Sequence, residues 1–241
     1  MLLCIDIGNT NTVFATFEGD RLVHSWRIKT DGRSTADELG LMVRGLLAGD
    51  NVQITGVSAC STVPTALRSL RGMLARYYPD VAAVIVEPGT RTGVPLSIDN
   101  PKEAGADRVV NTLAAYTLHG GPAIVVDFGT STNFDVVGRK GEYLGGVLTA
   151  GIEISVDALA TRAAQLRRVE LIKPPRAIGK NTVECLQSGV VFGFAGQVDG
   201  IVRKVTAELG GSVRAVVATG GLAPVVLDEC ETVTHHEPML T

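Results

Sequence analysis

The chain has 241 residues, of which 28 are glycine, 45% are hydrophobic and 5% aromatic, and its 22 basic and 25 acidic residues leave a net charge of −3. Glycine above the usual ~7% would suit collagen or a linker, but there is no third-position period, and a mean hydropathy of +0.24 excludes a disordered chain. The lack of any block of five or more like charges and a pI near 5.8 also argue against a nucleic-acid surface.

Leu2 to Ile7 is an apolar run broken only by Asp6, and it ends in Gly8-Asn9-Thr10-Asn11-Thr12. That is the pattern of a buried strand with an acid at its end. Val13 to Phe17, a Glu18-Gly19-Asp20 turn and Leu22 to Ile28 continue as a β-meander. Ser34 with Asp37 three residues on suggests a capping box for a helix carrying Leu39, Met42, Val43, Leu46 and Leu47. Val52 to Ala59 predicts a strand, Ser61-Thr62-Val63-Pro64 opens a helix to about Tyr77, and Val81 to Val86 predicts another buried strand. This stretch is βαβ in character. Glu87 to Pro101 holds too many glycines and prolines for a regular element and predicts a long functional loop. Lys102 to His119 turns helical until Gly120-Gly121-Pro122, and Ala123 to Val126 predicts a buried strand.

There the start of the chain recurs. Ile5-Asp6-Ile7-Gly8-Asn9-Thr10-Asn11-Thr12 reads against Val126-Asp127-Phe128-Gly129-Thr130-Ser131-Thr132-Asn133, half a chain length later. Each copy is followed by a second strand, a charged glycine turn (18–21 and 138–141) and a third strand. A duplication follows, with domains at 1–120 and 121–241. Gly145-Gly146 then leads through Gly151 into a helix from about Ile152 to Arg167, closed by Pro174-Pro175. A long helix from Asn181 to Leu209 carries Gly189, Gly193, Gly196 and Gly200 on one side, which suits either a dimer interface or internal helix packing. Val213 to Ala218 predicts a last buried strand, ending in Thr219-Gly220-Gly221.

The four cysteines, Cys4, Cys60, Cys185 and Cys230, lack C-x-x-C spacing and read as reduced, buried thiols. No basic leader precedes Leu2 and no apolar run approaches the ~20 residues of a bilayer span, so a cytoplasmic protein without a membrane segment is expected.

An acid at a strand end followed by a glycine turn can hold a cation, while the turn's N–H groups and hydroxyls meet phosphate oxygens. Asp6 and residues 7–13 (Ile7, Gly8, Asn9, Thr10, Asn11, Thr12, Val13) form one such turn, Asp127 to Thr130 a second. If the halves pack with pseudo-twofold symmetry, the two turns would face each other across a cleft and grip a nucleotide. Thr219-Gly220-Gly221 suits a purine packed against backbone. Neither a P-loop nor a dinucleotide fingerprint occurs. Phosphoryl transfer also needs a proton acceptor. Gly105-Ala106-Asp107-Arg108 offers one in Asp107, with Arg108 for an anionic group or the transferring phosphoryl.

Asp6-Ile7-Gly8-Asn9-Thr10, Asp99-Asn100-Pro101, Gly105-Ala106-Asp107-Arg108, Asp127-Phe128-Gly129-Thr130 and Ile178-Gly179-Lys180-Asn181-Thr182 together resemble the type III pantothenate kinases. The resemblance implies an α/β fold of duplicated ribonuclease H-like domains, with mixed sheets flanked by helices, as in actin-like ATPases and sugar kinases. It implies a homodimer that phosphorylates pantothenate with ATP and Mg²⁺, at the first step of coenzyme A synthesis, and that needs K⁺ or NH₄⁺. It places ATP on Asp6 to Val13 and Thr130, with Asp6 near Mg²⁺, and the monovalent cation on Asp127. Pantothenate falls on Gly105 to Arg108 and Thr182, with Asp107 as the proton acceptor. Three departures stand out: Ile98 replaces a usual substrate-binding Tyr, Asn133 stands where Thr is common, and the sequence ends at Leu240-Thr241. Ile98 motivates a second reading, a catalytically weak accessory binding protein, and a third is a kinase or phosphatase of the superfamily acting on another substrate.

Overall fold

A computed structural model describes residues 1–48, 53–162 and 169–241. The chain divides into two compact units, Met1–Thr92 with Lys102–Asp107, and Gly93–Pro101 with Arg108–Thr241.

In the first unit, β1 (Leu2–Ile7), β2 (Asn11–Glu18) and β3 (Arg21–Lys29) form an antiparallel meander. β4 (Gly56–Ser61) and β5 (Ala82–Val86) lie parallel on the other side of β1, giving the order β3-β2-β1-β4-β5. Strand side chains alternate between faces. Leu3, Ile5 and Ile7 therefore share one face, packed under Leu39, Val43 and Leu47 of α1 (Ala36–Leu47) and Leu70, Met73 and Leu74 of α2 (Pro64–Tyr77). Cys4 and Asp6 fall on the other face.

The capping box of α1 is Thr35 with Glu38, one residue beyond the expected Ser34 and Asp37. Glu38 N donates to Thr35 Oγ1 at 3.2 Å, and the Glu38 carboxylate accepts from Thr35 N at 2.7 Å. Thr35 is the residue in extended backbone directly before the helix, where a hydroxyl can reach the orphan N–H groups. β5 is an edge strand with Ala82, Ala83 and Val84 exposed, not a buried one, because a short apolar run reads alike in both settings. Val52 lies outside the described residues. The helix expected from Lys102 begins at Ala106, after a 3₁₀ turn at Pro101–Glu103.

The second unit repeats the topology. β6 (Ala123–Phe128), β7 (Ser131–Val137) and β8 (Tyr143–Ala150) form the meander, and β9 (Ala215–Thr219) and β10 (His235–His236) run parallel beyond β6. β10 follows the strand expected to be last. The two turns differ in length, since Ile7 pairs with Thr12 whereas Phe128 pairs with Thr132. Thr12 and Thr132, both buried, are thus the equivalent residues, and the ungapped match of Thr12 to Asn133 slips by one. This sheet is covered on both faces. Ile124, Val126 and Phe128 meet Ile152 of α4 (Ile152–Arg162) and Val190, Val198 and Val202 of α5 (Thr182–Glu208). Ala123, Val125 and Val137 pack with Ala115 of α3 (Ala106–His119). The expected reach of α4 to Arg167 lies outside the described residues.

α5 begins at Thr182, one residue after the expected start, and is capped by Asn181. Contrary to the expectation drawn from apolar runs, it is long and apolar enough to cross a bilayer by length and composition. It nevertheless buries Asp199, which accepts from Glu231 N, Thr232 N and the Thr232 hydroxyl, as a core helix does. A Cβ at Gly189, Gly193, Gly196 or Gly200 would meet no atom within 4 Å among the described residues, so this face does not serve internal helix packing. Of the cysteines only Cys60 is fully buried, and Cys185 is exposed.

Candidate active site

Asp6 closes β1, and the turn after it is fixed from within. Gly8 N donates to Asn11 O at 3.0 Å, and Thr30 N donates to Thr10 O at 3.0 Å. The Thr30 hydroxyl donates to Gly8 O at 2.8 Å and lies 2.9 Å from that of Thr12. Ile7 and Thr12 are buried beneath the turn, while Asn9 and Thr10 are exposed on it and Val13 pairs across from Asp6. A turn braced this way presents donors in a fixed arc, which is what a phosphate requires.

The Asp6 carboxylate accepts from Cys60 Sγ at 3.3 Å. Burial raises its pKa, the Cys60 bond and Arg27 oppose the rise, and the negative charge of Asp107 adds to it. Burial, followed by the charge of Asp6, pushes the Cys60 thiol far up, so it stays protonated and remains a donor. Asp107 stands in the first turn of α3, behind Gly105 and the buried Ala106, where the helix N-terminus favours a carboxylate. The first unit thus brings together the acids expected to serve the cation and the proton. No cluster of three or more His, Cys, Asp or Glu side chains among the described residues forms a protein-only metal cage. Mg²⁺ does not require one: it commonly binds through one or two carboxylates, waters and substrate phosphates, a demand that Asp6 meets.

In the second unit Asp127 ends β6, opposite Asn133 and beside Thr219 of β9. Gly220 has φ of 90°, and a Cβ there would lie 2.6 Å from Asp127 Oδ1 and from the Phe128 carbonyl, so only glycine lets the two turns meet. The structure therefore joins the second acidic turn to the third glycine cluster. Gly129 N donates to Ser131 O at 3.0 Å, and the Ser131 hydroxyl donates to Asn133 Oδ1 at 3.0 Å. Thr130 is exposed at the tip. A carboxylate among backbone carbonyls is an oxygen donor set suited to a hard cation.

Arg108, next on α3, has its Nε 3.9 Å from Oδ1 of the buried Asp135 and donates from Nη1 to the Tyr143 hydroxyl at 3.4 Å. Tyr143 also straps down the segment that carries Ile98: Tyr143 N donates to Pro95 O at 2.8 Å, and Ser97 N donates to Tyr143 O at 2.9 Å. The stretch just before Ile98 and the Arg108 guanidinium consequently both meet Tyr143. Thr182 is exposed on the first turn of α5. The Gly179-Lys180-Asn181 stretch before it is a cap. Glu184 N donates to Asn181 Oδ1 at 2.9 Å, and a Cβ at Gly179 would lie 2.5 Å from Cys185 N.

Sequence reading missed Cys60, Asp135 and Tyr143 as neighbours of the expected site residues. For Asp135 a signal exists, because it is a lone acid inside the apolar run Phe134 to Val137.

A family model described as type III pantothenate kinase matches residues 2–204. A "Type III pantothenate kinase" of Salinispora arenicola is 75% identical over all of this chain and 95% of its own length, and one of Acidothermus cellulolyticus is 66% identical over all of this chain and 94% of its own. Among solved structures, component A of the (R)-2-hydroxyglutaryl-CoA dehydratase of Acidaminococcus fermentans superposes with a TM-score of 0.58 at 14% identity, covering 99% of this chain and 92% of that one. The ROK hexokinase of Thermus thermophilus does so with 0.51 at 16%, covering 98% and 91%. At such identities these two carry the fold alone.

Proposed function

The chain belongs to the type III pantothenate kinases, enzymes that phosphorylate pantothenate in coenzyme A biosynthesis, and from that premise we propose which of its residues do the work. The family's activity requires ATP with a divalent metal. The alternative of an accessory binding protein finds no support among these relatives.

Asp107 is the proton acceptor. The primary hydroxyl of pantothenate attacks the γ-phosphorus of ATP, its proton passes to the Asp107 carboxylate, and the bond to the β–γ bridging oxygen breaks to release ADP. The observation that carries this is placement: Asp107 stands in the first turn of α3, in the same compact unit as the turn that follows Asp6, and its negative charge reaches the Asp6 carboxylate. Residues 7–13 present phosphate donors, with Asp6 holding Mg²⁺ directly or through water. Thr130 contacts a nucleotide phosphate, and Asp127 holds K⁺ or NH₄⁺. The cations, when bound, neutralise charge that develops on the phosphoryl oxygens. Gly105, Ala106, Arg108 and Thr182 bind pantothenate beside Ile98. The enzyme works in the cytoplasm as a homodimer.

ADP release on adding pantothenate, followed with and without K⁺, tests the reading. Wild-type turnover is expected to depend on K⁺, and Asp107→Asn to lose about 10²–10⁴-fold in kcat, the usual worth of a positioned base. A rate for the variant within twofold of wild type would sink the assignment.

A further inference from the structure

We infer that Asp135 and Tyr143 form a cradle that positions the Arg108 guanidinium for the acceptor, with Asp135 as a positioning residue for the transfer reaction. The inference rests on the reading of Arg108 as an acceptor-binding residue.

Asp135 lies on the β7 face whose neighbours Ala123, Val125 and Val137 pack with Ala115 of α3, and only 1% of it is exposed. A carboxylate among such residues is costly unless charge and hydrogen bonds compensate it. Two residues of α3 face it, one supplying charge and the other a long hydrogen bond. Arg108 brings Nε to 3.9 Å from Oδ1, and Asn111 donates from Nδ2 to Oδ2 at 3.5 Å. Three residues apart, they occupy one helix face. The Asn111 amide is itself fixed, since its Oδ1 accepts from the Thr241 hydroxyl at 2.7 Å. The pairing of β7 with β8 shifts register between Asp135 and Val137, and such bulges re-aim side chains at sites. On the β8 side stands Tyr143, 2% exposed, whose hydroxyl meets Arg108 and whose backbone holds the segment of Ile98.

A fold needing only stability would fill this position with an apolar residue, as Ala123, Val125 and Val137 do around it. An acid retained there holds by charge, with the Tyr143 hydroxyl beside it, a guanidinium that is otherwise a long, flexible side chain, and such a group binds an anion better when its position is restricted. Arg108 keeps a quarter of its side chain exposed, so it is anchored from below and still reachable.

Steady-state kinetics on the full chain test the cradle. Asp135→Asn keeps the shape and removes the charge. It is expected to raise the KM for pantothenate about tenfold, as loss of a charged partner does, with kcat and the KM for ATP within about threefold. Arg108→Ala should raise the same KM, and adding Asp135→Asn to it should cost nothing more, because a residue acting through Arg108 has nothing left to act on. Tyr143→Phe is the second variant should Asp135→Asn fail to fold, with a smaller rise in the same KM that also vanishes in the Arg108→Ala background. If Arg108→Ala raises the pantothenate KM but neither cradle variant does, or if their effects add in full to it, the cradle is wrong and the acceptor reading stands. If Arg108→Ala leaves that KM unchanged, the acceptor reading falls and the cradle with it.

Discussion

Burial holds the Asp6 carboxyl above the ordinary carboxylate value, and although the Cys60 thiol opposes that rise, Asp107 adds to it. Between its unfolded and its folded pKa the native chain keeps a proton that the unfolded chain has released. Stability therefore falls as pH rises through that interval, and the neutral-pH protein carries the full cost. Asp6→Asn removes the charge and keeps an acceptor for Cys60 Sγ. Without ligand it is expected to melt above wild type at pH 7, each kcal/mol appearing as roughly 2–4 °C in Tm. The gap should close as pH falls below the ordinary carboxylate value, and equal Tm values at pH 7 would refute the argument. With Mg²⁺ and ATP the order should reverse, since a ligand bound only by the native wild type adds stability by mass action. Asp6 was legible in sequence because strand alternation and the turn that follows mark a strand end. Its partner Cys60 was not, because the parallel pairing of β1 with β4 joins residues 54 apart.

At the scale of elements, α5 holds the open question of what its glycines serve. A helix with four glycines on one face gives up roughly 1 kcal/mol for each relative to alanine, a cost with no return inside the described chain. In the proposed homodimer the return is close approach of a second copy. Gly196→Leu is then expected to convert dimer to monomer in sedimentation, whereas on a face that stays in solvent it would leave the mass unchanged and, by helix propensity, raise Tm. The existence of α5 was legible from its long apolar tract, whereas its Asn181 cap, which the Asn181-x-x-Glu184 spacing carries, reads in sequence as the first helical residue. The edge position of β5 was not, because Ala-Ala-Val-Ile-Val carries no sign of what lies beside it.

Across the whole molecule, the repeat of Asp6 and Asp127 at half-length spacing announced two sheets of like order, and both sheets have it. What the repeat leaves out is that the copies are not equally buried. Strands β6, β7 and β9 pack on both faces, with Val125, Val126, Phe134 and Val217 fully enclosed, while the first unit's hydrophobic cluster lies on one face of its sheet, the other face burying the smaller Ala15 and Cys60. Local stability follows buried apolar contact, so backbone opening should be graded the same way. In native-state hydrogen exchange the amides of β6 and β9 are expected to be the slowest, opening only with the global transition of the second unit. Those of the edge strand β5, whose first three residues are exposed, should exchange about 100-fold faster or more, equivalent to roughly 2.7 kcal/mol of local stability. Equal protection in β5 and β6 would mean that the two sheets open as one cooperative body. The graded pattern would instead mean that the unit carrying Asp6 and Asp107 loosens first, and that ATP with Mg²⁺ should slow exchange there more than in β6.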